Sequence, residues 1–161
     1  MEILEKLKQR WEDIDYPFLV HSKGELRFDE IAEQASVDLS NVQSGDVVAL
    51  IGDFDPQSIL TLLQLIDKNV ILAPLTTDTK LQHDYFFESA LVDVVIEGAS
   101  VRRIEHGVTH EFIEQLRSKD HAGLVLFSTG TTGRPKAILH DLTLFMQRFE
   151  TPRPTLKTIN F

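Results

Sequence analysis

A continuous apolar run in the middle of the chain constrains the fold more than any other feature of the sequence. Val47–Ile51 is a stretch of aliphatic side chains without a polar residue, which is typical of a strand that is covered on both faces. Asp55 and Pro56 follow shortly after it, and this pair is typical of a helix N-cap and a first helical position. The helix predicted over 56–66 is apolar around most of its circumference, so we expect it to be buried.

The alternation of strand and helix continues beyond this helix. The predicted segments are a strand at 70–73 that ends at Pro74, a helix at 78–90 with Leu81, Tyr85 and Phe86 turned inward, and a strand at 92–96. Because the connections are short, a β-α-β-α-β order predicts parallel neighbours joined by right-handed crossovers. We therefore expect an α/β fold, with a mostly parallel sheet that carries helices on both faces.

Shorter elements flank this central unit. On the amino-terminal side, the predicted elements are a helix at 2–13, short strands at 17–20 and 25–28, and a second helix face from Phe28. On the carboxyl-terminal side, they are a strand at 101–104, a helix capped by Thr109, strands at 123–127 and 137–139, and a last helix that is capped by Asp141 and has Leu142, Phe145 and Phe149 on one face.

Charge and composition exclude several classes of protein. The 161 residues include 16 basic and 25 acidic side chains, so the net charge of −9 repels a nucleic-acid backbone. No apolar run is long enough to predict a membrane span. The chain has no cysteine, which excludes disulfides and cysteine-ligated metal sites. Its first residues lack the pattern of a secretory leader, so we expect a cytoplasmic protein.

One loop concentrates the residues that could carry chemistry. Directly after the predicted strand at 123–127 come four hydroxyl residues and two glycines within 128–133, namely Ser128, Thr129, Gly130, Thr131, Thr132 and Gly133. The glycines are expected to allow positive φ and a close approach to a ligand, and consecutive N–H groups can form an anion-binding nest. Pro135 stiffens the chain and Lys136 adds a point charge. This combination suits a pyrophosphate or a triphosphate.

The spacing differs from two common phosphate-binding motifs. A P-loop needs four residues between its first glycine and Gly-Lys, followed by Ser or Thr, whereas two residues separate Gly130 from Gly133 and Ala137 follows Lys136. A dinucleotide fingerprint would need a third glycine that opens a helix. From the residues alone, an ordinary surface turn rich in glycine and threonine remains an alternative.

The whole segment 127–140, FSTGTTGRPKAILH, closely resembles the phosphate-binding signature of the adenylate-forming enzymes. That superfamily includes acyl-CoA synthetases, the adenylation domains of nonribosomal peptide synthetases, and firefly luciferase. Ala137 stands where the signature usually has glycine. A less specific resemblance to the early part of these enzymes covers 44–50, the helix at 56–66 and 70–75, with Asn69 where a glycine or another small turn residue is usual.

The resemblance implies an activity and a set of ligands. Enzymes of this superfamily use ATP and Mg²⁺ to convert a carboxylic acid to an acyl-adenylate and pyrophosphate, and most then pass the acyl group to coenzyme A or to a carrier protein. The residues implied to hold the β- and γ-phosphates are Ser128, Thr129, Gly130, Thr131, Thr132, Gly133 and Lys136. His140 matches the histidine that often follows the signature, although an ordinary strand-end histidine is equally compatible. Arg134 occupies a variable position of the signature, so contact with phosphate stays open for it.

Later motifs of the superfamily are missing from the sequence. There is no Tyr-Gly-x-Thr-Glu segment for magnesium and no Thr-Gly-Asp segment for the ribose. We therefore expect 1–161 to be an incomplete N-terminal AMP-binding domain without the C-terminal domain, with Mg²⁺ bound mainly by residues outside this chain and with no catalytic residue of its own. A strand predicted at 156–161 would lack later partners, so we expect self-association through an exposed edge.

Other interpretations remain open at this stage. A noncatalytic phosphate-binding or interaction module, or a structural remnant whose loop binds nothing, would also fit the sequence. Asp53 and Asp55 could be a carboxylate pair, although helix capping is the favoured interpretation so close to Pro56. His106 and His110 have a spacing that could bind a metal, but Gly107 and Thr109 argue against the helix which that site would need.

Overall fold

The protein is described by a computed structural model that covers residues 3–34, 36–128 and 133–149. Its strands are β1 (Leu19–His21), β2 (Gly24–Leu26), β3 (Val47–Ile51), β4 (Ile71–Leu75), β5 (Val94–Glu97), β6 (Ser100–Arg103), β7 (Gly123–Ser128) and β8 (Lys136–Asp141). Its α-helices are α1 (Ile3–Trp11), α2 (Phe28–Ala32), α3 (Pro56–Asp67), α4 (His83–Ala90), α5 (Glu111–Lys119) and α6 (Leu142–Gln147), and a 3₁₀ turn, Thr77–Gln82, precedes α4.

The main sheet has six strands in the order β6-β5-β3-β4-β7-β8. The pairs β5–β3, β3–β4 and β4–β7 are parallel, whereas β6 and β8 pair antiparallel with β5 and β7 at the two edges. The strands β1 and β2 form a separate antiparallel pair. The expected α/β fold with a mostly parallel sheet is confirmed.

Helices cover the two faces of the sheet as expected. On one face, Val47, Ala49 and Ile51 of β3 belong to a cluster with α4 and α5. On the other face, the alternate residues Val48 and Leu50 pack with Leu65 of α3 and its neighbours. All five residues of β3 are at most 5% exposed, which explains why its sequence is apolar throughout instead of alternating.

The two helix starts predicted from acidic residues are confirmed. The Asp55 carboxylate accepts a hydrogen bond from the Ser58 N–H at 3.0 Å, and Pro56 is the first residue of α3. Asp141 accepts a hydrogen bond from the Leu144 N–H at 3.0 Å at the start of α6. Each carboxylate therefore pairs with an N–H that the helix itself cannot satisfy.

The prediction that Pro74 ends its strand is wrong, because Pro74 lies inside β4 opposite Leu50. The N–H of Ile71 donates to Asp46 on the β3 side, and the carbonyl of Val70 accepts from Gly123 on the β7 side. By alternation along the strand, position 74 faces β7. There β7 no longer pairs with β4, so a residue without an N–H leaves no ladder hydrogen bond unmade.

The predicted inward orientation of Leu81 is also wrong. Leu81 is fully exposed, at 102% of its reference area, because residues 77–82 form a 3₁₀ turn whose three-residue period shifts the inward face. Phe145 and Phe149 are 49% and 51% exposed, although Leu142 is buried. The Phe145 and Phe149 rings nevertheless contact each other, with centroids 5.4 Å apart, so these two residues share a face although α6 itself ends at Gln147.

Two further expectations have separate outcomes. The cap of α5 is His110, whose Nδ1 accepts the Phe112 N–H at 3.2 Å, and the predicted cap Thr109 bonds instead to Glu114. The strand predicted at 156–161 lies outside the described residues.

Among the residues that are described, no helix combines the length and the apolar character needed to cross a membrane.

Candidate functional site

The helices that follow β3 and β4 lie on opposite faces of the sheet, so the chain switches faces at the carboxyl ends of these two strands. The chain leaves β3 for α3 on one face and leaves β4 for α4 on the other. In open α/β sheets, ligands bind in the crevice outside such a switch point. A hollow of about 190 Å³ lies here. Its lining includes Gly52, Phe54, Ser58 and Thr76.

Asp53 ties the two connections of this crevice together. Its carboxylate accepts the Thr77 N–H at 3.0 Å and also the Thr77 hydroxyl. These two hydrogen bonds, the one from the hydroxyl first, hold the pKa of Asp53 below its ordinary value. Asp53 is therefore a loop-to-loop link and Asp55 a helix cap, so the two do not form a carboxylate pair.

The strand β7 carries the candidate phosphate loop to the same edge of the sheet. It runs parallel to β4, so its carboxyl end at Ser128 lies on the side of the switch point. The two strands pair only at Ile71↔Gly123 and Leu72↔Leu124, whereas β7 pairs with β8 along its whole length. The β7–β8 hairpin therefore diverges from β4 towards the loop at its tip.

The register of this hairpin places three predicted site residues on one face. The pairs Ser128↔Lys136, Leu126↔Ile138 and Leu124↔His140 alternate with pairs on the opposite face. Leu124 packs against the cluster that includes residues of α3, so this face is the α3 side of the sheet. The Lys136 N–H donates to Ser128 Oγ at 3.3 Å, which closes the base of the loop.

His140 shares that face but stands apart from the loop. It lies four residues from Lys136 in β8, a separation of about 13 Å along an extended strand. The structure therefore brings Ser128 and Lys136 together and leaves His140 near the other end of the hairpin. One ligand can contact both Lys136 and His140 only if it extends along the strand.

The glycine and alanine at the loop exit have ordinary backbone conformations. Gly133 is not among the residues with positive φ, so this glycine does not use the left-handed conformation that it would allow. A Cβ at Gly133 would meet no heavy atom within 4 Å, which means that its Cα faces open space. Ala137 has no positive φ either, and it pairs with Phe127 in the hairpin. Alanine thus fits where the signature usually has glycine.

Four of the predicted phosphate-binding residues lie outside the described part of the chain, namely Thr129, Gly130, Thr131 and Thr132.

Helix α4 contacts both ends of the loop. The Phe86 ring packs against Phe127, with centroids 4.2 Å apart, just before the loop begins. The Tyr85 hydroxyl donates to the Pro135 carbonyl at 2.7 Å where the loop ends. The sequence correctly predicts that both aromatic rings face inward, but Tyr85 and Pro135 are 50 residues apart, and no local pattern reveals that they meet.

The loop exit carries two cations without acidic partners among the described residues. None of the ion pairs found in those ranges includes Arg134 or Lys136. The Arg134 guanidinium carbon instead lies 5.2 Å from the centre of the Tyr85 ring. In a chain with a net charge of −9, two such cations at the loop exit favour an anionic ligand.

The histidines at 106 and 110 do not form a metal site. His106 Nε2 lies 3.1 Å from Asp93 Oδ1, while His110 caps α5. Within the described ranges, no group of three or more histidine, aspartate or glutamate residues could hold a metal ion.

Comparison with known proteins finds the fold in solved structures. The N-terminal subdomain of NpsA from Klebsiella oxytoca, in complex with anthranilyl-AMSN, matches with a TM-score of 0.63 and 21% identity over 94% of this chain and 43% of that chain. VinN in complex with L-aspartate matches with a TM-score of 0.58 and 16% identity over 88% of this chain and 47% of that chain. An artificial NpsA-ThdA fusion, described as an adenylation–PCP di-domain from Klebsiella oxytoca, matches with a TM-score of 0.57 and 20% identity over 85% of this chain and 31% of that chain.

The chain thus spans less than half the length of these structures. No family model matches the sequence, and no curated protein matches it significantly. The resemblance first carried by residues 127–140 is confirmed at the level of the fold. The chain shares its α/β fold with part of the NpsA N-terminal subdomain and with part of VinN.

Proposed function

We propose that this chain is the N-terminal part of an ATP-dependent ligase that activates a carboxylic acid as its acyl-adenylate. The observation that carries the proposal is the position of the strand ends that flank the signature loop, Ser128 of β7 and Lys136 of β8. The loop follows β7 at the carboxyl edge of the sheet, beside the switch point, with Lys136 and Arg134 at its exit. The likeness to NpsA in complex with an acyl-AMSN compound supports an adenylate as the ligand class.

The proposed task of the loop is to hold the triphosphate while the α-phosphorus is attacked by the substrate carboxylate. The N–H groups and hydroxyls of 128–133 donate hydrogen bonds to the β- and γ-phosphates, and Lys136 balances their charge. As the bond to the α-phosphorus breaks, negative charge grows on the departing pyrophosphate. Donors and cations that are already in place stabilise that charge, which is the main protein contribution in phosphoryl-type chemistry.

Several finer points belong to this proposal. Mg²⁺ would accompany the triphosphate, with its protein ligands outside this chain. A carrier protein is supported as acceptor by the NpsA-ThdA adenylation–PCP fusion, and coenzyme A is the alternative. Four further points stay predictions: the domain limits of 1–161, the inability of the chain to adenylate alone, its self-association and its cytoplasmic location.

Nucleotide binding by the 161-residue chain tests the proposal. Isothermal titration calorimetry with pyrophosphate and with ATP should give a measurable Kd for the wild-type chain. Lys136→Gln should weaken pyrophosphate binding by about tenfold, which corresponds to about 1.4 kcal/mol for one charge-assisted contact. The matched control is Lys23→Gln, which removes the same charge in the turn between β1 and β2 and should leave Kd unchanged.

The competing interpretations predict different results. A remnant that binds nothing would give no heat with either ligand, which would refute the proposal. A noncatalytic sensor would bind nucleotide equally well but would gain no activity from the rest of an adenylating enzyme. ATP–pyrophosphate exchange by the chain alone should show no turnover, and turnover would contradict the expectation that essential groups lie elsewhere.

A further inference from the structure

The two residues that contact the ends of the loop are neighbours in α4. Phe86 is 4% exposed and packs on Phe127 at the loop entrance. Tyr85 is half-buried and holds the carbonyl of Pro135 at the loop exit. The pairing of Ser128 with Lys136 already sets the separation of the two loop ends, and the two adjacent contacts on α4 tie both ends to the same helix.

Tyr85 makes two contacts with the loop exit through different parts of its side chain. The hydroxyl donates to the Pro135 carbonyl at 2.7 Å, while the ring lies under the Arg134 guanidinium at 5.2 Å. A cation over an aromatic face keeps its N–H donors free, because the attraction is to the ring and not to an acceptor atom. Arg134 is exposed. The Tyr85 ring therefore orients the guanidinium group and leaves its N–H donors available to a ligand.

We propose that Tyr85 is a positioning residue of the phosphate loop, and that it holds Arg134 as a second cation, in addition to Lys136, for the outer phosphates of the ligand. This inference rests on the proposed function and adds two residues to it. Arginine suits the role, because its planar fork can bind a phosphate through two N–H groups while it stacks on a ring. Lysine at 136 acts as a point charge.

The test compares pyrophosphate, ATP and AMP as ligands of the full 161-residue chain. Arg134→Gln should weaken binding of pyrophosphate and ATP by about tenfold and should leave AMP binding within about twofold. Arg134→Lys keeps the charge but loses the fork, so it should fall between the wild type and Arg134→Gln. Tyr85→Phe keeps the ring and removes only the hydroxyl, so pyrophosphate binding should weaken by about threefold.

The chain provides matched controls for both changes. Arg102 also lies over a ring of α4, with its guanidinium 5.6 Å from the centre of the Phe87 ring, but it belongs to β6 at the opposite edge of the sheet. Arg102→Gln therefore repeats the loss of charge and of the cation–π contact away from the loop. Tyr16→Phe repeats the loss of a hydroxyl at the other tyrosine of the chain.

A second measurement tests the anchor without a ligand. Hydrogen–deuterium exchange of the backbone amides of Gly133, Arg134, Lys136 and Ala137 should be at least about threefold faster in Tyr85→Phe than in the wild type, because the loop exit loses a hydrogen bond worth about that factor. Exchange in β3 should be unchanged, which separates a local effect from general loss of stability.

The outcomes are distinguishable. Equal losses in Arg134→Gln and Arg102→Gln would refute a specific role for Arg134, since net charge alone would explain them. Wild-type affinity and wild-type exchange in Tyr85→Phe would refute the positioning role. If the wild-type chain binds neither pyrophosphate nor ATP, the proposed function and the role of Arg134 both fail, while the exchange experiment still decides whether Tyr85 anchors the loop.

Discussion

The contact between Phe86 and Phe127 gives the sharpest prediction about stability. The two rings lie 4.2 Å apart between centroids, at an angle of 30°. Phe86 is 4% exposed, so Phe86→Ala should lower the free energy of unfolding by about 3–5 kcal/mol. At about 2–4 °C per kcal/mol for a chain of this size, the melting temperature should fall by roughly 6–20 °C.

A double-mutant cycle isolates the ring pair from simple burial. Phe86→Leu, Phe127→Leu and the double variant keep most of the apolar volume and remove the aromatic contact. Urea unfolding should then give a coupling energy of about 0.5–1.5 kcal/mol between the two positions. Phe54 is 73% exposed, so the control Phe54→Leu should stay within about 0.5 kcal/mol of the wild type.

Additivity within about 0.3 kcal/mol would refute the reasoning, because independent sites add to that level. The ring contact would then contribute nothing beyond the area that each ring buries, and α4 would lose its anchor at the loop entrance.

Two further predictions concern the ends of helices. At Gly52 a Cβ would lie 2.1 Å from Ser58 Oγ, so Gly52→Ala should cost about 1–3 kcal/mol in urea unfolding, and adding Ser58→Ala should restore part of that loss. Partial burial raises the pKa of Asp141, but hydrogen bonds with the Leu144 N–H and with His121 outweigh it and leave this pKa below its ordinary value of 3.8. Ionised Asp141 therefore stabilises the fold above about pH 4, and that stability is lost as the pH falls through the lowered pKa. Asp141→Asn should flatten this acid dependence when unfolding is measured from pH 6 to pH 2.

The parts of the fold that the sequence predicts well depend on neighbouring residues. The run Val47–Ile51 predicts a buried strand, and Asp55 with Pro56 predicts the start of α3, because burial on two faces and helix capping both leave local patterns. Asn69 has a φ of 55° directly after α3. A left-handed position of this kind favours glycine or asparagine, which explains the small turn residue usual there.

The parts that the sequence does not predict depend on distant residues. Pro74 fits inside β4 only because β7 has already separated from that strand. Tyr85 reaches Pro135 across 50 positions, so its link to the loop follows from the packing of α4 on the hairpin. For the candidate site, the sequence alone reveals the signature at 127–140. The separation of His140 from Lys136 along β8 follows only from the structure.

The short seam between β4 and β7 has a mechanical consequence. Backbone pairing joins the hairpin to the rest of the sheet at two positions, and four further residues of β7 extend beyond them to Ser128. The part of the hairpin beyond Leu72 and Leu124 is thus an arm of about 13 Å, and its position depends on α4 through the contacts of Phe86 with Phe127 and of Tyr85 with Pro135. A tilt of about 10° would shift the end of this arm by about 2 Å, which is close to the difference between touching a phosphate oxygen and releasing it. The pairing between β3 and β4 would keep its register.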